Sequence, residues 1–139
     1  MDALRTHFGK DQYAVGLSGV SLIEAAPGRA IATMRLEPRH HNSIGMTHGG
    51  ALFTLADYAF AVASNASGRV AVGIETSMSF HKATREGTLT AEAVEVSRSY
   101  RISHVDVRIT DEAGDLVAQF HGVAYRKSDT IPGMQPADE

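Results

Sequence analysis

A chain of 139 residues, 43% hydrophobic and 21% charged, has the size and composition of one globular domain with a full core, which excludes extended disorder. A formal net charge of -3 gives no long-range pull toward nucleic acid or an anionic membrane, and the lack of cysteine excludes a disulfide framework, a thiolate nucleophile and a cysteine-ligated zinc. The sequence opens without a basic-then-apolar leader, and its longest apolar runs fall short of a membrane span, so the expected location is the cytoplasm.

The chain first offers a short N-terminal helix over Asp2–Tyr13, with Leu4 and Phe8 as its apolar contacts. Val20–Ala26 and Ala30–Leu36 flank Pro27-Gly28-Arg29. Ile31, Thr33 and Arg35 alternate with Ala32, Met34 and Leu36, which reads as a hairpin. Pro38–Thr47 is a polar loop without periodicity. His48–Ala66 (HGGALFTLADYAFAVASNA) is a long helix, apolar on nearly every side and ended at Ser67-Gly68; such a helix belongs in a core. Period-2 patterns follow. Val70, Val72, Ile74, Met78 and Phe80 share one side, against Gly73, Glu75, Ser77 and Ser79. Leu89–Val96, Ile102–Thr110 and Leu116–Tyr125 come next, with turns at Arg85-Glu86-Gly87 and Asp111–Asp115. Four consecutive strands with short turns make an antiparallel sheet, and only the central helix is apolar enough to cover it. The expected architecture is α+β, a five- to six-stranded antiparallel sheet wrapped around one long central helix, the hotdog layout. Residues 1–127 form the single domain. Residues 128–139, with two prolines and no pattern, are expected to be a mobile tail.

Asp57 sits in the middle of the apolar helix, where an Asp is either paired or has a job. Gly49 and Gly50 open the helix with bare backbone. The first N–H groups of a helix lack internal partners and carry the positive end of its dipole, which suits an oxyanion formed in acyl transfer. The same glycines would equally allow close loop packing. Asp57 follows His48 by nine residues, roughly 13 Å along the axis, so one carbonyl cannot meet both ends of this span. If both act on one substrate, the Asp comes from a second copy in a symmetric dimer with antiparallel helices. Gly50, Thr54, Asp57 and Ala61 then form a small, partly polar stripe along the cleft. Such a carboxylate can deprotonate a water or attack a carbonyl to give an anhydride; the alternative is a structural carboxylate bound to a neighbouring loop. Asn42 can hold the water or the carboxylate, or close an Asx turn, and His48 can donate to a carbonyl or brace the loop. His40, His41 and His48 match no metal-ligand spacing, so no metal is expected. His81, Lys82 and Arg85 form a basic run able to meet a phosphate-bearing ligand, or merely a solvated turn.

The stretch HGGALFTLADYAFAVASNASG resembles the signature of hotdog-fold acyl-CoA thioesterases of the phenylacetic-acid-degradation (PaaI-like) type, and VAVGIETSMSFHKATREG is similar to the strand and turn that follow in the wider family. The likeness runs from about Gly16 to Lys127, and Asp57, where some relatives carry Glu, favours the PaaI-like branch. It implies hydrolysis of an acyl-CoA, with an aromatic, phenylacetyl-type acyl group. Asp57 would be nucleophile or general base, and the Gly49 N–H would polarise the thioester carbonyl with His48 beside it. Asn42 would position water or carbonyl, and Ser77 is the candidate hydroxyl on the following strand. Gly50 and Thr54 would line the substrate cleft, and His81, Lys82 and Arg85 would meet the nucleotide end of coenzyme A. No separate cofactor is implied, since coenzyme A is part of the substrate. The expected assembly is a homotetramer, a dimer of dimers with sites at the subunit interface, without nucleic acid or membrane partners. Two other readings remain open: a CoA-ester hydratase or dehydratase, which needs a catalytic His paired with an acid, and a non-catalytic acyl-CoA-binding module.

Overall fold

The apolar side chains of the long helix decide the architecture, because the sheet has to curve to enclose them. The computed structural model describes residues 1–136. A short helix α1 (Asp2–Phe8) and a π-helical turn (Gln12–Leu17) precede the hairpin of β1 (Val20–Ala26) and β2 (Arg29–Arg35). A 3-10 turn (Pro38–His40) and an irregular loop lead to α2 (Gly49–Asn65). β3 (Arg69–Phe80), β4 (Thr88–Arg98), β5 (Ile102–Thr110) and β6 (Leu116–Thr130) complete the chain. The six strands form one antiparallel sheet in the order β1-β2-β4-β5-β6-β3, with α2 against its concave face. This is the hotdog fold.

Four expectations need correction. The N-terminal helix stops at Phe8, and the chain restarts as a separate turn that Asp11 caps by accepting the N–H groups of Tyr13 and Ala14. The four late strands are not a simple meander. β3 lies at the sheet edge beside β6, and residues 81–87 carry the chain across to β4, which satisfies the free edge of β2. The single alternation drawn through β3 is broken by a bulge between Gly73 and Glu75, where Ile74 is the extra residue. Val72 therefore stands beside the exposed Tyr125 on the outer face, whereas Met78 stands beside the buried Phe120. Finally, β6 continues to Thr130, and Ile131 is fully buried with its N–H donating to the Gly68 carbonyl at 2.8 Å. Residues 128–131 thus belong to the fold, while residues 137–139 of the expected tail lie outside the described residues.

Leu52, Leu55, Ala56, Ala59, Phe60, Val62 and Ala63 of α2 are buried against the sheet. Phe60 makes the closest approach. A Cβ on Gly122 would stand 2.7 Å from its ring and one on Gly73 would stand 3.0 Å away, so both strands need a bare backbone there. Asn65, buried at the last turn, fixes the far end of the helix. Its Oδ1 accepts the Ala71 N–H at 2.8 Å, and its Nδ2 donates to the Ala71 carbonyl at 3.1 Å and to the Ala61 carbonyl at 2.7 Å. Away from the sheet α2 leaves Gly50, Phe53, Thr54, Asp57 and Ala61 exposed or half-exposed.

Gly122→Ala forces the Phe60 ring out of place. Overpacking of this kind costs ~1–3 kcal/mol, so thermal denaturation should show Tm lowered by roughly 3–12 °C; an unchanged Tm would contradict the close packing.

Candidate active site

The helix start is built by a histidine. His48 is the N-cap residue of α2, with φ -65° and ψ 136°, and its Nδ1 accepts the Gly50 N–H at 2.8 Å. This places the ring proton on Nε2. The ring therefore does what Ser or Asp usually does at an N-cap. Its own N–H donates to the His40 carbonyl at 2.7 Å, and its carbonyl accepts from Ala51 and Leu52. Of the two glycine N–H groups, that of Gly49 alone is left without a partner among the described residues. Gly49 lines a cavity of about 420 Å³ with Asn42, Ile44, Met46, Leu52, Phe80, His81 and Lys82.

Asn42 takes the Asx-turn role and keeps half its amide. Its Oδ1 accepts the N–H groups of Ile44 at 3.0 Å and Met46 at 3.1 Å, which folds the loop back beneath α2. Only the Nδ2 donor remains, so Asn42 can hold an oxygen but has no acceptor left to align a water proton. The loop is docked on the 81–87 segment through Thr47, whose N–H and Oγ1 both donate to the Thr84 carbonyl, at 2.8 and 3.0 Å. His40 uses both ring nitrogens, accepting from the Glu37 N–H and donating to the Ser18 carbonyl, and His41 Nε2 donates to the Arg85 carbonyl.

Asp57 lies in a different cavity of about 470 Å³, with Phe8, Asp11, Tyr13, Phe53, Thr54 and Tyr58 on its walls. It is half-buried and makes no hydrogen bond or ion pair among the described residues. Burial first, and the like charge of Asp11 second, push its carboxyl above the ordinary value of 3.8. An unpaired carboxylate with a raised proton affinity is chemically able to take a proton from a neighbouring water. Gly50, Thr54 and Tyr13 line both this cavity and the neighbouring one at His48, of about 330 Å³. A groove thus runs along the outward stripe of α2. Within one chain the Gly49 N–H and Asp57 stay apart by about 12 Å of helix.

The other candidates divide. His81 stands at the Gly49 cavity with Nε2 3.3 Å from Ser79 Oγ. Lys82 is already engaged: its Nζ contacts Asp111 at 2.6 Å and Asp115 at 2.7 Å, which raises the lysine and lowers Asp111. Arg85 makes no ion pair among the described residues and rests against Gly45. Ser77 points to the outer face of the sheet, opposite His121, in a separate cavity with Asp106 and Gln119. Within the chain it meets neither Gly49 nor Asp57. The sequence reading missed Phe8, Asp11 and Tyr13 because it ran one helix through them. The available signal was Asp11 itself, a cap residue placed just before the 12–17 turn.

A curved antiparallel sheet closed on one long helix is the architecture of the hotdog-fold proteins, to which likeness to known proteins adds the class. A family model described as the thioesterase superfamily matches residues 44–118, and the chain belongs to that family. The acyl-coenzyme A thioesterase PaaI of Escherichia coli is 34% identical over 83% of this chain and 83% of its own. Human acyl-coenzyme A thioesterase 13 is 34% identical over 74% of this chain and 76% of its own. Among solved structures, the PaaI protein of the E. coli phenylacetic acid degradation operon superposes with a TM-score of 0.86 at 28% identity, covering 93% of this chain and 96% of that one. No helix among the described residues is long and apolar enough to cross a membrane.

The raised Asp57 carboxyl has a consequence for stability. Between its ordinary value of 3.8 and its raised one, the folded chain binds the proton that the unfolded chain has lost, so stability falls as pH rises through that window. Asp57→Asn removes the penalty. Its Tm should exceed that of the wild type at neutral pH, and the gain should vanish below pH 3.8. A neutral-pH Tm below the wild type in calorimetric scans would mean that the carboxylate is a structural partner.

Proposed function

We propose that the chain hydrolyses an acyl-CoA thioester at a site shared by two subunits, with the Gly49 N–H of one and Asp57 of the other. The observation that carries this reading is the pairing of opposites on α2. A free N–H donor and an unpaired acid stand on one rigid helix, too far apart to act on one bond. Two antiparallel copies bring each acid to the other's donor and generate two equal sites. The edge strand β3 supports the assembly, since it leaves Val72 (45% exposed) and Ile74 (59% exposed) uncovered beside an unpaired strand edge. Assembly into a dimer of dimers in the cytoplasm is part of the same proposal.

In the reaction, Asp57 takes the proton of a water whose oxygen attacks the thioester carbon. The charge that develops on the carbonyl oxygen is met by the Gly49 N–H and the Asn42 Nδ2 donor. Collapse expels the coenzyme A thiolate, which is protonated to the thiol. Direct attack by the carboxylate, through an anhydride, uses the same groups; single-turnover reaction in heavy-oxygen water distinguishes the two by whether label enters Asp57. Coenzyme A enters only as part of the substrate, and no further cofactor takes part. The rings of Phe8, Tyr13, Phe53 and Tyr58 beside Asp57 favour a flat aromatic acyl group of phenylacetyl type. In this reading Arg85, which makes no ion pair among the described residues, and His81 meet the phosphates, whereas Lys82 contributes only if it leaves its two aspartates. A hydratase would need an imidazole free to work with the acid. His48 is bound into the helix cap, which favours hydrolysis.

The test follows free coenzyme A released from phenylacetyl-CoA and from aliphatic acyl-CoA esters. Asp57→Asn should lower kcat by about 10²–10⁴-fold. Gly49→Pro keeps the backbone suited to a first helical position while removing the N–H, and should lower kcat by about 10²–10³-fold. Mixed after unfolding and reassembly, the two dead variants should recover about a quarter of wild-type activity, because half the dimers are mixed and each of these has one intact site. No recovery would refute the shared site, and tight binding without release by the wild type would make this a binding module.

A further inference from the structure

The N-terminal segment brings a second carboxylate to the cleft of Asp57, since Asp11 and Asp57 line the same cavity. Asp11 is not free to swing away. Its Oδ1 accepts the N–H of Tyr13 at 3.0 Å and that of Ala14 at 2.8 Å, and its Oδ2 has no partner among the described residues. Among the described residues, no cationic side chain lines this cavity. The other titratable groups lining the cavity are the phenols of Tyr13 and Tyr58. Arg5 of α1 donates to the Leu22 carbonyl at 2.6 Å and acts on Tyr58 rather than on Asp57. The strands contribute no charged lining residue, and His48 lies in the adjoining cavity.

We propose that Asp11 is a positioning residue for the hydrolysis, acting through Asp57: its charge, fixed across the cleft, holds back activity in acid and makes Asp57 the stronger proton acceptor above it. The inference rests on the Asp57 reading. Like charges across a partly desolvated cavity disfavour ionising the second group, and a carboxylate that holds its proton more tightly is a better base once ionised. The cap gives this arrangement its rigidity, because moving the charge would release two backbone N–H groups.

Asp11→Asn separates charge from structure, since Asn caps a turn as well as Asp does. Its Tm at neutral pH should equal or slightly exceed that of the wild type, since the cap is kept and one like charge beside Asp57 is removed. The acid limb of kcat/KM against pH should move to lower pH, so that relative activity one pH unit below the wild-type midpoint rises about three-fold, while plateau kcat falls about two-fold. In the wild type that limb should shift with added salt, and in the variant it should not. A purely structural role would lower activity at every pH and leave the limb in place. An unmoved limb in a folded Asp11→Asn protein, with Asp57→Asn inactive, overturns the role of Asp11 alone. An active Asp57→Asn protein overturns both readings.

Discussion

The closeness of α2 to the sheet governs the whole molecule. The Phe60 ring lies where two strands offer only glycine, at Gly73 and Gly122, and that contact sets how deeply the helix sits. Asn65 then ties the last turn to β3, and the His48 N–H ties the first to His40. A helix held at both ends and pressed at the middle has one orientation about its axis. Its outward stripe of Gly50, Thr54, Asp57 and Ala61 is therefore a result of core packing, and the groove along it is the part of the helix that the sheet cannot reach.

Much of this was legible in the sequence. The run from Leu52 to Ala63 gave the buried helix, and the Pro27-Gly28 turn gave the first hairpin, because both depend on neighbours in the chain. The place of β3 was not legible. Which strand pairs with which is decided by free edges elsewhere, and the free edge of β2 is taken by β4 rather than by β3, the next strand in the chain. The bulge at Ile74 was hidden for the same reason: a strict alternation of apolar residues looks regular until the partner strand fails to match it. At the site, the spacing from His48 to Asp57 was readable because a helix is a ruler. The cap made by His48 and the tied oxygen of Asn42 were not, since the identity of a side chain does not tell which of its atoms are already committed.

The helix start also shows how a fold prepares a donor. The two glycine N–H groups look alike in the sequence. Once the His48 ring accepts that of Gly50, the other is left at the positive end of the dipole facing an apolar-walled cavity. Asp57 gains nothing from that dipole, because it lies mid-helix. Its character comes from burial and from Asp11, so donor and acid are tuned by separate means and stay independent of each other.

Both outer strands of the sheet carry an irregularity. In β1 the extra residue is Ile23, as Leu22 faces Ala32 and Glu24 faces Ile31; in β3 it is Ile74. A straight, regular edge would accept strands from any chain and could grow into fibres. A kinked edge accepts a neighbour only in a register that tolerates the kink, and a copy turned about a two-fold axis carries the matching one. The same two isoleucines that spoil the ladder thus work against open-ended, strand-by-strand pairing at either edge of the sheet.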